Sequence, residues 1–310
     1  MEIISGSQNI VRPLPYPIIT IGNFDGVHLG HQSIFRQVVE RARKKSGTSV
    51  VFTFEPHPVK VLAPGKSPHL LTSFQRKAKL IAECEIDHVV YEEFNRQLAG
   101  MTAEDFVITL LVDRLHAREI MVGSGFVFGR GRAGTVSTLS RMGKKLGFTV
   151  HTIKPVEARG EVVSSSRIRA LLEAGKVEEA AELLGRPYSL SGTVIAGHQM
   201  GKDIGIPTAN IEHDPALAPP RGVYAVRVFF EGMEHHGVVN VGFNPTFNRD
   251  RLSVEVHIFN FNQKTYGKEI QINFIRHIRN EMRFPSADAL VQQIKGDIQA
   301  AKNLFAEYRA

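Results

Sequence analysis

The chain of 310 residues contains a single cysteine, Cys84. One thiol excludes an intramolecular disulfide, and it excludes zinc sites built from several thiolates. No apolar run approaches the roughly 20 residues that span a bilayer. Residues 1–17 lack the basic start and apolar core of a signal peptide. We therefore expect a soluble, cytoplasmic protein with no membrane partner.

The composition is that of an ordinary globular protein, with 43% hydrophobic and 22% charged residues. The length corresponds to two domains of usual size. Lysine and arginine exceed aspartate and glutamate, which gives a formal net charge of +7. Such a charge favours anionic ligands, whether nucleotides, nucleic acid or a membrane surface, and does not choose among them.

Short apolar strands alternate with amphipathic helices in the first half of the chain. Residues 17–21 predict a buried strand, 33–45 a helix with its apolar residues on one side, and 49–54 the next strand. This βαβ pattern predicts parallel pairing, and it continues to residue 153. We expect an α/β domain whose ligand binds at the carboxyl ends of its strands.

The pattern changes after residues 185–187. Strand-like runs then follow each other with little helix between them, at 222–230, 236–241, 252–261 and 270–278. This spacing indicates an antiparallel β domain, such as a small barrel. Ser286 is expected to cap a closing helix that ends near residue 308, and a helical stretch over 166–184 is expected to link the two domains.

The sequence TIGNFDGVHLGH, residues 20–31, stands where the first predicted strand gives way to a helix. A helix N-terminus attracts phosphate, and glycines let the main chain approach an anion closely. His28 and His31 are three residues apart, so on a helical turn they share a face and could stabilise growing phosphate charge. The alternative is a pair of packed or metal-binding histidines. The glycine-rich setting favours the phosphate interpretation.

A second segment, VSSSRIR at residues 163–169, places three hydroxyls and two arginines at the start of a helix. It would form another phosphate clamp, unless it is an ordinary helix cap. Together with TFEPHP at residues 53–58, the two segments resemble the HxGH nucleotidyltransferases. Within that superfamily they resemble the adenylyltransferase module of the bacterial bifunctional riboflavin kinase/FMN adenylyltransferases, or FAD synthetases.

This resemblance implies a Rossmann-like α/β nucleotidyltransferase domain with a parallel sheet over residues 1–184. In it the FMN phosphate attacks the α-phosphorus of ATP and pyrophosphate leaves. His28 and His31 would be catalytic. The resemblance also implies ATP- or phosphate-binding residues Gly22, Asn23, Phe24, Asp25, Gly26, Gly30, Ser164, Ser165, Ser166 and Arg169, and flavin-binding residues Phe54, Pro56, His57 and Pro58.

One segment departs from that family. Residues 123–129 read GSGFVFG, where the family usually has G-x-(D/N)-F-R-F-G. Gly125 and Val127 therefore lack a hydrogen-bonding side chain and a cation expected near the nucleotide or flavin, which raises the alternative of an impaired adenylyltransferase. Residues 129–134 match GxGxxG literally. No ribose-binding acid follows about 20 residues on, so we interpret them as a basic loop near the nucleotide.

A glycine-rich loop ending in PTAN covers residues 197–210. It is not a Walker A motif, because Asp203 follows Lys202 where a serine or threonine is needed. Thr208 and Asn210 are two apart, so in an extended segment they point the same way and could offer oxygens to Mg²⁺. The alternative is a tight surface turn.

The PTAN segment resembles the riboflavin kinase motif, and the match extends through GVY at 222–224, NVG at 240–242, VEVH at 254–257 and IRNEMRF at 278–284. It implies a six-stranded β-barrel kinase domain with a closing helix over residues 185–310. Glu255 would accept the proton of the riboflavin 5′-hydroxyl as it attacks the γ-phosphate of ATP. The other implied residues are ATP-binding Gly197, Gly201, Lys202 and Gly205, flavin-binding Arg279 and Phe284, and Mg²⁺ ligands Thr208 and Asn210.

The expected function is therefore bifunctional. The second domain makes FMN from riboflavin and ATP, and the first makes FAD from FMN and ATP, with Mg²⁺ accompanying the nucleotide. One alternative keeps the kinase and impairs the adenylyltransferase. Another is a basic nucleic-acid-binding protein, which would need a basic stripe interleaved with aromatics. The basic residues are dispersed instead, so no nucleic-acid partner is expected.

Overall fold

The computed structural model describes residues 1–65, 69–196, 205–213, 221–243 and 252–307. The chain folds into two compact units, Met1–Ser165 and Ser166–Ala310. The stretch 166–184, predicted to link the domains, falls in the second unit in this division. No helix within the described residues is long and apolar enough to cross a membrane.

The first unit contains ten strands and six α-helices among its described residues, with a π-helical segment, Phe106–Arg114, continuing the fifth helix. In chain order they are β1 Glu2–Ser5, β2 Pro17–Ile21, α1 Leu29–Lys44, β3 Thr48–Glu55, α2 Pro58–Leu62, α3 Phe74–Ala82, β4 His88–Glu93, α4 Arg96–Ala99, α5 Ala103–Asp105, β5 Glu119–Gly123, β6 Val127–Phe128, β7 Gly134–Thr135, α6 Val136–Leu146, β8 Thr149–Ile153, β9 Glu157–Ala158 and β10 Glu161–Val162.

Six of these strands form one sheet in the order β1-β4-β3-β2-β5-β8, and every pairing in it is parallel. The predicted parallel α/β domain is thereby confirmed. The chain runs from β2 outward through β3 to β4 and returns to place β5 on the other side of β2. The turn after β2 therefore lies at a topological switch point, where open parallel sheets bind ligands.

Helix α1 begins at Leu29, four residues before the predicted start, because His28 caps it. The His28 backbone is extended and its ring nitrogen accepts a hydrogen bond from the His31 main-chain N–H. The helix buries Phe35 and Val38 against a sheet whose central strand β2 is buried along its whole length. The apolar stripe thus fixes the helix, and with it the turn, on the sheet.

A buried carboxylate, Glu119, lies at the start of β5. Its Oε1 accepts a hydrogen bond from the Tyr16 hydroxyl at 3.1 Å. Its Oε2 accepts one from the Arg41 Nε at 2.8 Å and lies 2.6 Å from the His151 Nε2. This network joins the segment before β2, helix α1, β5 and β8. It therefore stabilises the end of the sheet opposite to the turn after β2.

The second unit is built from two helices, a barrel and a C-terminal helix. Its elements are α7 Ser165–Glu173, whose first residue belongs to the first unit, α8 Val177–Leu184, β11 Tyr188–Ile195, β12 Ala209–His213, β13 Gly222–Phe230, β14 Met233–Phe243, β15 Leu252–Ile258, β16 Glu269–Arg279 and α9 Ala287–Glu307.

The six strands close into a barrel in the order β11-β12-β15-β14-β13-β16, with antiparallel neighbours. The predicted antiparallel barrel with a closing helix is confirmed. Helix α9 packs its Ala301, Leu304 and Phe305 on Val223 and Val238 of the barrel wall. The Ser286 hydroxyl accepts from a main-chain N–H in the first turn of α9, which is the predicted cap.

Candidate functional site

The turn between β2 and α1 has an unusual backbone. Phe24, Gly26 and Val27 have φ values of 51°, 83° and 41°. Glycine adopts such values without strain, whereas a β-branched valine does so only when its surroundings hold it there. Phe24 and Val27 are both almost fully buried, so packing holds the turn. Backbone strain of this kind is typical of functional sites.

The two histidines of the turn share a face, as their spacing predicted. Their rings stack with centroids 3.6 Å apart and planes 21° from parallel. His28 Nδ1 accepts the hydrogen bond from the His31 N–H at 3.4 Å. The proton of a neutral His28 ring must therefore sit on Nε2, which makes that atom a donor.

Two glycines leave room for the rings of His28 and Phe24. A Cβ on Gly30 would lie 3.1 Å from Cε1 and Nδ1 of His28, and one on Gly22 would lie 3.0 Å from Cζ of Phe24. The Phe24 ring is 4% exposed and meets His31 edge-on at 5.2 Å. The Phe24 side chain therefore packs against His31 from the core side, and its predicted part in ATP binding stays a prediction.

The side chain of Asp25 also points into the protein. Its carboxylate accepts from the main-chain N–H groups of Leu71, at 2.9 and 3.1 Å, and Thr72, at 3.2 Å. The Gly26 N–H donates to the Thr72 hydroxyl at 3.1 Å. These bonds tie the turn to the segment that precedes α3. A carboxylate repels phosphate, so any phosphate contact at Asp25 is best made by the main chain.

The second predicted phosphate segment reaches the turn through one hydroxyl. Ser165 Oγ donates to the main-chain oxygen of Asp25 at 2.9 Å. Ser164 is half-buried beside it. Ser166 and Arg169 are the second and fifth residues of α7 and belong to the second unit.

The predicted flavin segment follows β3, the neighbour of β2 in the sheet. Phe54 is half-buried near the end of β3. Pro56 follows a cis peptide bond, and Pro58 is the first residue of α2. His57, 8% exposed, caps α2 by accepting a main-chain N–H at 3.3 Å. Because β2 and β3 are parallel, this segment and the turn lie at the same edge of the sheet.

The residues that depart from the family lie after β5, again at this edge. Gly125 is exposed, and a Cβ there would meet nothing within 4 Å. Val127 is half-buried in the short strand β6, opposite Thr135. The fold therefore does not demand glycine at position 125. The departures at positions 125 and 127 remove a hydrogen-bonding side chain and a cation.

In the barrel, strand register brings three polar residues together. Glu255 lies directly opposite Asn210 on β12 and opposite Asn240 on β14. Its neighbours Val254 and Val256 are buried inside the barrel, so Glu255 points outward and is half-buried. Facing residues on adjacent strands have Cβ atoms about 4.5–5.5 Å apart. Asn210 and Glu255, predicted for the same reaction, thus lie side by side.

The segment that carries Thr208 is held by another member of the VEVH motif. The His257 Nδ1 lies 2.8 Å from the main-chain oxygen of Pro207, immediately before Thr208. Gly205 has a φ of 74°, and a Cβ there would meet none of the described residues within 4 Å. The other predicted ATP-binding residues of this loop, Gly197, Gly201 and Lys202, lie outside the described residues.

Arg279 is bound to the C-terminal helix. Its Nε lies 3.1 Å from both carboxylate oxygens of Asp297, and a terminal nitrogen lies 2.8 Å from one of them. Asp297 is 3% exposed and also accepts from Gln293. The guanidinium carbon lies 5.6 Å from the Phe284 ring centroid. Arg279 thus links β16 to α9, and it places the ring predicted to contact the flavin.

Sequence reasoning did not single out three residues that support these sites, namely Thr72, Lys77 and Asp297. Asn240 and His257 were noted only as members of the NVG and VEVH motifs, without a role. Lys77 carried the clearest signal, since it stands on the buried side of α3 with Ala78 and Ile81. A lysine on an apolar stripe needs polar partners inside the fold.

Two family models match the chain, FAD synthetase over residues 14–167 and riboflavin kinase over residues 184–305. The bifunctional riboflavin kinase/FMN adenylyltransferase of Escherichia coli K12 is 37% identical over 307 residues, covering 98% of each chain. The protein of the same name from Haemophilus influenzae is 37% identical over 306 residues, covering 98% of this chain and 99% of its own.

A crystal structure from Streptococcus pneumoniae, described as a macrolide-efflux protein, superposes with a TM-score of 0.88. It shares 31% sequence identity, over 98% of this chain and 99% of that one. The architecture of both units is thus known from experiment in a related chain. The resemblance inferred from the motifs is confirmed by the two family models and by the curated relatives. The chain belongs to the bifunctional riboflavin kinase/FMN adenylyltransferase family and carries both of its enzymatic domains.

Proposed function

We propose that the chain phosphorylates riboflavin to FMN in its second unit and adenylylates FMN to FAD in its first, in the cytoplasm. The observation that carries the proposal is that each unit assembles its own set of reactive groups. The first stacks His28 on His31 at a sheet switch point. The second sets Glu255 opposite Asn210.

In the first unit an oxygen of the FMN phosphate attacks the α-phosphorus of ATP, and the bond to the pyrophosphate oxygen breaks. Negative charge grows on that leaving oxygen and on the oxygens of the α-phosphorus. Nε2 of His28 and the ring of His31 donate hydrogen bonds to them, and the N-terminus of α1 adds its positive dipole end. The stacked rings hold both donors in fixed positions, so little reorganisation is needed during the reaction.

The remaining residues predicted for adenylyl transfer would bind and orient the two substrates. Ser164, Ser165, Ser166 and Arg169 would hold the triphosphate, as the resemblance implies, and the Ser165 contact with Asp25 supports this for one of the hydroxyls. The segment Phe54–Pro58 would place the isoalloxazine ring of FMN. Its position at the carboxyl edge beside the turn supports that role.

In the second unit the riboflavin 5′-hydroxyl attacks the γ-phosphorus of ATP, and ADP leaves. Glu255 accepts the hydroxyl proton, a role that a carboxylate held within hydrogen-bond reach can fill. Thr208 and Asn210 would hold Mg²⁺, whose preference for oxygen ligands fits a hydroxyl and an amide oxygen beside a carboxylate. Bound there, Mg²⁺ would neutralise phosphate charge. Gly197, Gly201, Lys202 and Gly205 would bind ATP, as the resemblance implies, and Arg279 with Phe284 would contact the flavin.

Two variants of the full-length protein test this division of labour. Glu255→Gln is expected to abolish FMN formation from riboflavin and to leave FAD formation from added FMN unchanged. His31→Ala is expected to do the reverse. Each variant keeps the activity that the other loses, so the two serve as controls for each other. Glu269→Gln removes an exposed carboxylate at the start of β16 and is the matched control for the loss of charge. Flavins are separated by chromatography after timed incubation with ATP and Mg²⁺.

If Glu255→Gln still made FMN at the wild-type rate, the assignment of the base would be wrong. If either variant lost both activities while remaining folded, the two reactions would not be separated between the units as proposed.

A further inference from the structure

A lysine is buried behind the nucleotide turn. Lys77, on α3, is 5% exposed. Its Nζ donates to the main-chain oxygen of Asn23 at 3.2 Å and to the Thr53 hydroxyl at 3.4 Å. Asn23 follows β2 and Thr53 belongs to β3. The ammonium therefore joins the carboxyl ends of the two strands that lead into the turn and the flavin segment.

Two carboxylates near Lys77 have the charge opposite to that of its ammonium. Burial lowers the pKa of Lys77, and the carboxylates of Glu55 and Asp25 act in the opposite direction by favouring its charged form. A buried ammonium is costly unless it is paired and hydrogen-bonded. Conversely, without the ammonium these two carboxylates would present uncompensated negative charge beside a turn that must accept ATP phosphates.

Packing alone does not call for a lysine here. The buried side of α3 otherwise consists of Ala78, Leu80 and Ile81. Methionine has nearly the length of lysine and would fill the same space at no cost of charge burial. What methionine cannot supply is the hydrogen bond to Asn23 and the positive charge.

We propose that Lys77 is a positioning residue for adenylyl transfer, which fixes the main chain of the phosphate-binding turn at Asn23 and offsets the carboxylates of Asp25 and Glu55. The inference rests on the proposed function of the first unit. It assigns to α3 a part in ATP binding, because Asp25 and Lys77 together hold the turn against this helix and the segment before it.

The test compares Lys77→Met with Lys77→Arg and with Lys79→Met, an exposed lysine on the same helix. KM and kcat for FAD formation are measured in the full-length protein with ATP and FMN varied separately. Lys77→Met removes the charge of the ammonium and its hydrogen bonds to Asn23 and Thr53. We therefore expect it to raise KM for ATP roughly tenfold. KM for FMN should stay within about twofold, since the removed contacts lie at the phosphate turn.

Lys77→Arg should restore most of the ATP affinity, and Lys79→Met should match the wild type. FMN formation reports in every variant that the second unit is intact, and thermal unfolding reports whether the first unit is folded. Equal KM values for ATP in the wild type and Lys77→Met would overturn the proposal. If the melting temperature of Lys77→Met fell while its KM for ATP stayed equal, the role of Lys77 would be structural only.

The proposed function can fail separately. A wild-type protein that makes no FAD would overturn it, and the role of Lys77 would then be decided by calorimetric titration with α,β-methylene-ATP. The ATP site of the second unit also binds this analogue, and its contribution is the same in all variants. A first-unit site that is about tenfold weaker in Lys77→Met supports the proposal, and an unchanged one overturns it. If Lys77→Met does not fold, Lys77→Gln is compared in its place.

Discussion

Replacing Gly30 by alanine should separate stability from adenylyl transfer. The new Cβ would lie 3.1 Å from two atoms of the His28 ring, whereas an ordinary contact between such atoms is about 3.5–4.0 Å. The ring must therefore move by about 0.5 Å. It is buried and stacked on His31 at 3.6 Å, so the displacement passes to the second histidine.

The size of the effect follows from this displacement. A misplacement of about 1 Å can cost a hundredfold in rate, so half of that is expected to cost about tenfold in kcat/KM for FAD formation. The fold should not suffer, because the backbone of Gly30 is not in the left-handed region and alanine is favoured over glycine in a helix by about 0.5–1 kcal/mol.

The assay follows FAD and pyrophosphate formation from FMN and ATP, together with thermal unfolding. FMN formation from riboflavin should be unchanged. Gly296→Ala is the comparison, since that Cβ would meet nothing within 4 Å, and it should stabilise α9 with both activities intact. If Gly30→Ala formed FAD within twofold of the wild-type rate, the argument that Gly30 exists to seat His28 would be refuted.

Three further predictions concern the surroundings of the two sites. Burial raises the pKa of Glu119, but its hydrogen-bond donors outweigh this and lower it overall. The carboxylate therefore contributes stability above its unfolded-state pKa that is lost as the pH falls through the folded-state pKa. Glu119→Gln should lower the free energy of unfolding at pH 7 by about 2 kcal/mol and weaken its acid dependence, as measured by urea unfolding between pH 7 and pH 3. Asp297→Ala leaves Arg279 without its buried partner and should destabilise the second unit by about 3 kcal/mol. On warming, FMN formation should therefore be lost before FAD formation. Simultaneous loss of the two activities would contradict this. Gly125→Asn combined with Val127→Arg returns the side chains usual in the family and should raise kcat/KM for FAD formation about threefold or more; no increase would mean that these positions do not limit the reaction.

Elements with a regular apolar pattern were predicted closely. Strand β13 coincides with its predicted range, and the parallel sheet followed from the alternation of strands and helices. Strand β1 was missed because it is an exposed edge strand with no buried side chain among its four residues. Thr102 and the acidic residues after it predict the start of a helix that runs to Leu115. The helix begins there but continues as a π-helical segment, Phe106–Arg114, because apolar spacing over so short a segment does not distinguish α-helical from π-helical hydrogen bonding.

Features of the two sites that depend on local spacing were likewise predicted, and those that depend on tertiary structure were not. Local spacing was enough to predict that His28 and His31 share a face. The pairing of Asn210 with Glu255 depends on how the barrel closes between strands about 45 residues apart, which no local pattern encodes. The inward direction of the Asp25 carboxylate depends on the segment before α3, and it became apparent only in the folded chain.

The central claim is that one chain transfers two different parts of ATP to the flavin. Incubation of the protein with riboflavin, Mg²⁺ and ATP labelled at either the γ- or the α-phosphorus tests it directly. The account predicts that the γ label enters FMN and is retained in FAD, whereas the α label appears in FAD and pyrophosphate formation accompanies it. The α label in FMN, or flavin products that carry neither label, would contradict the account.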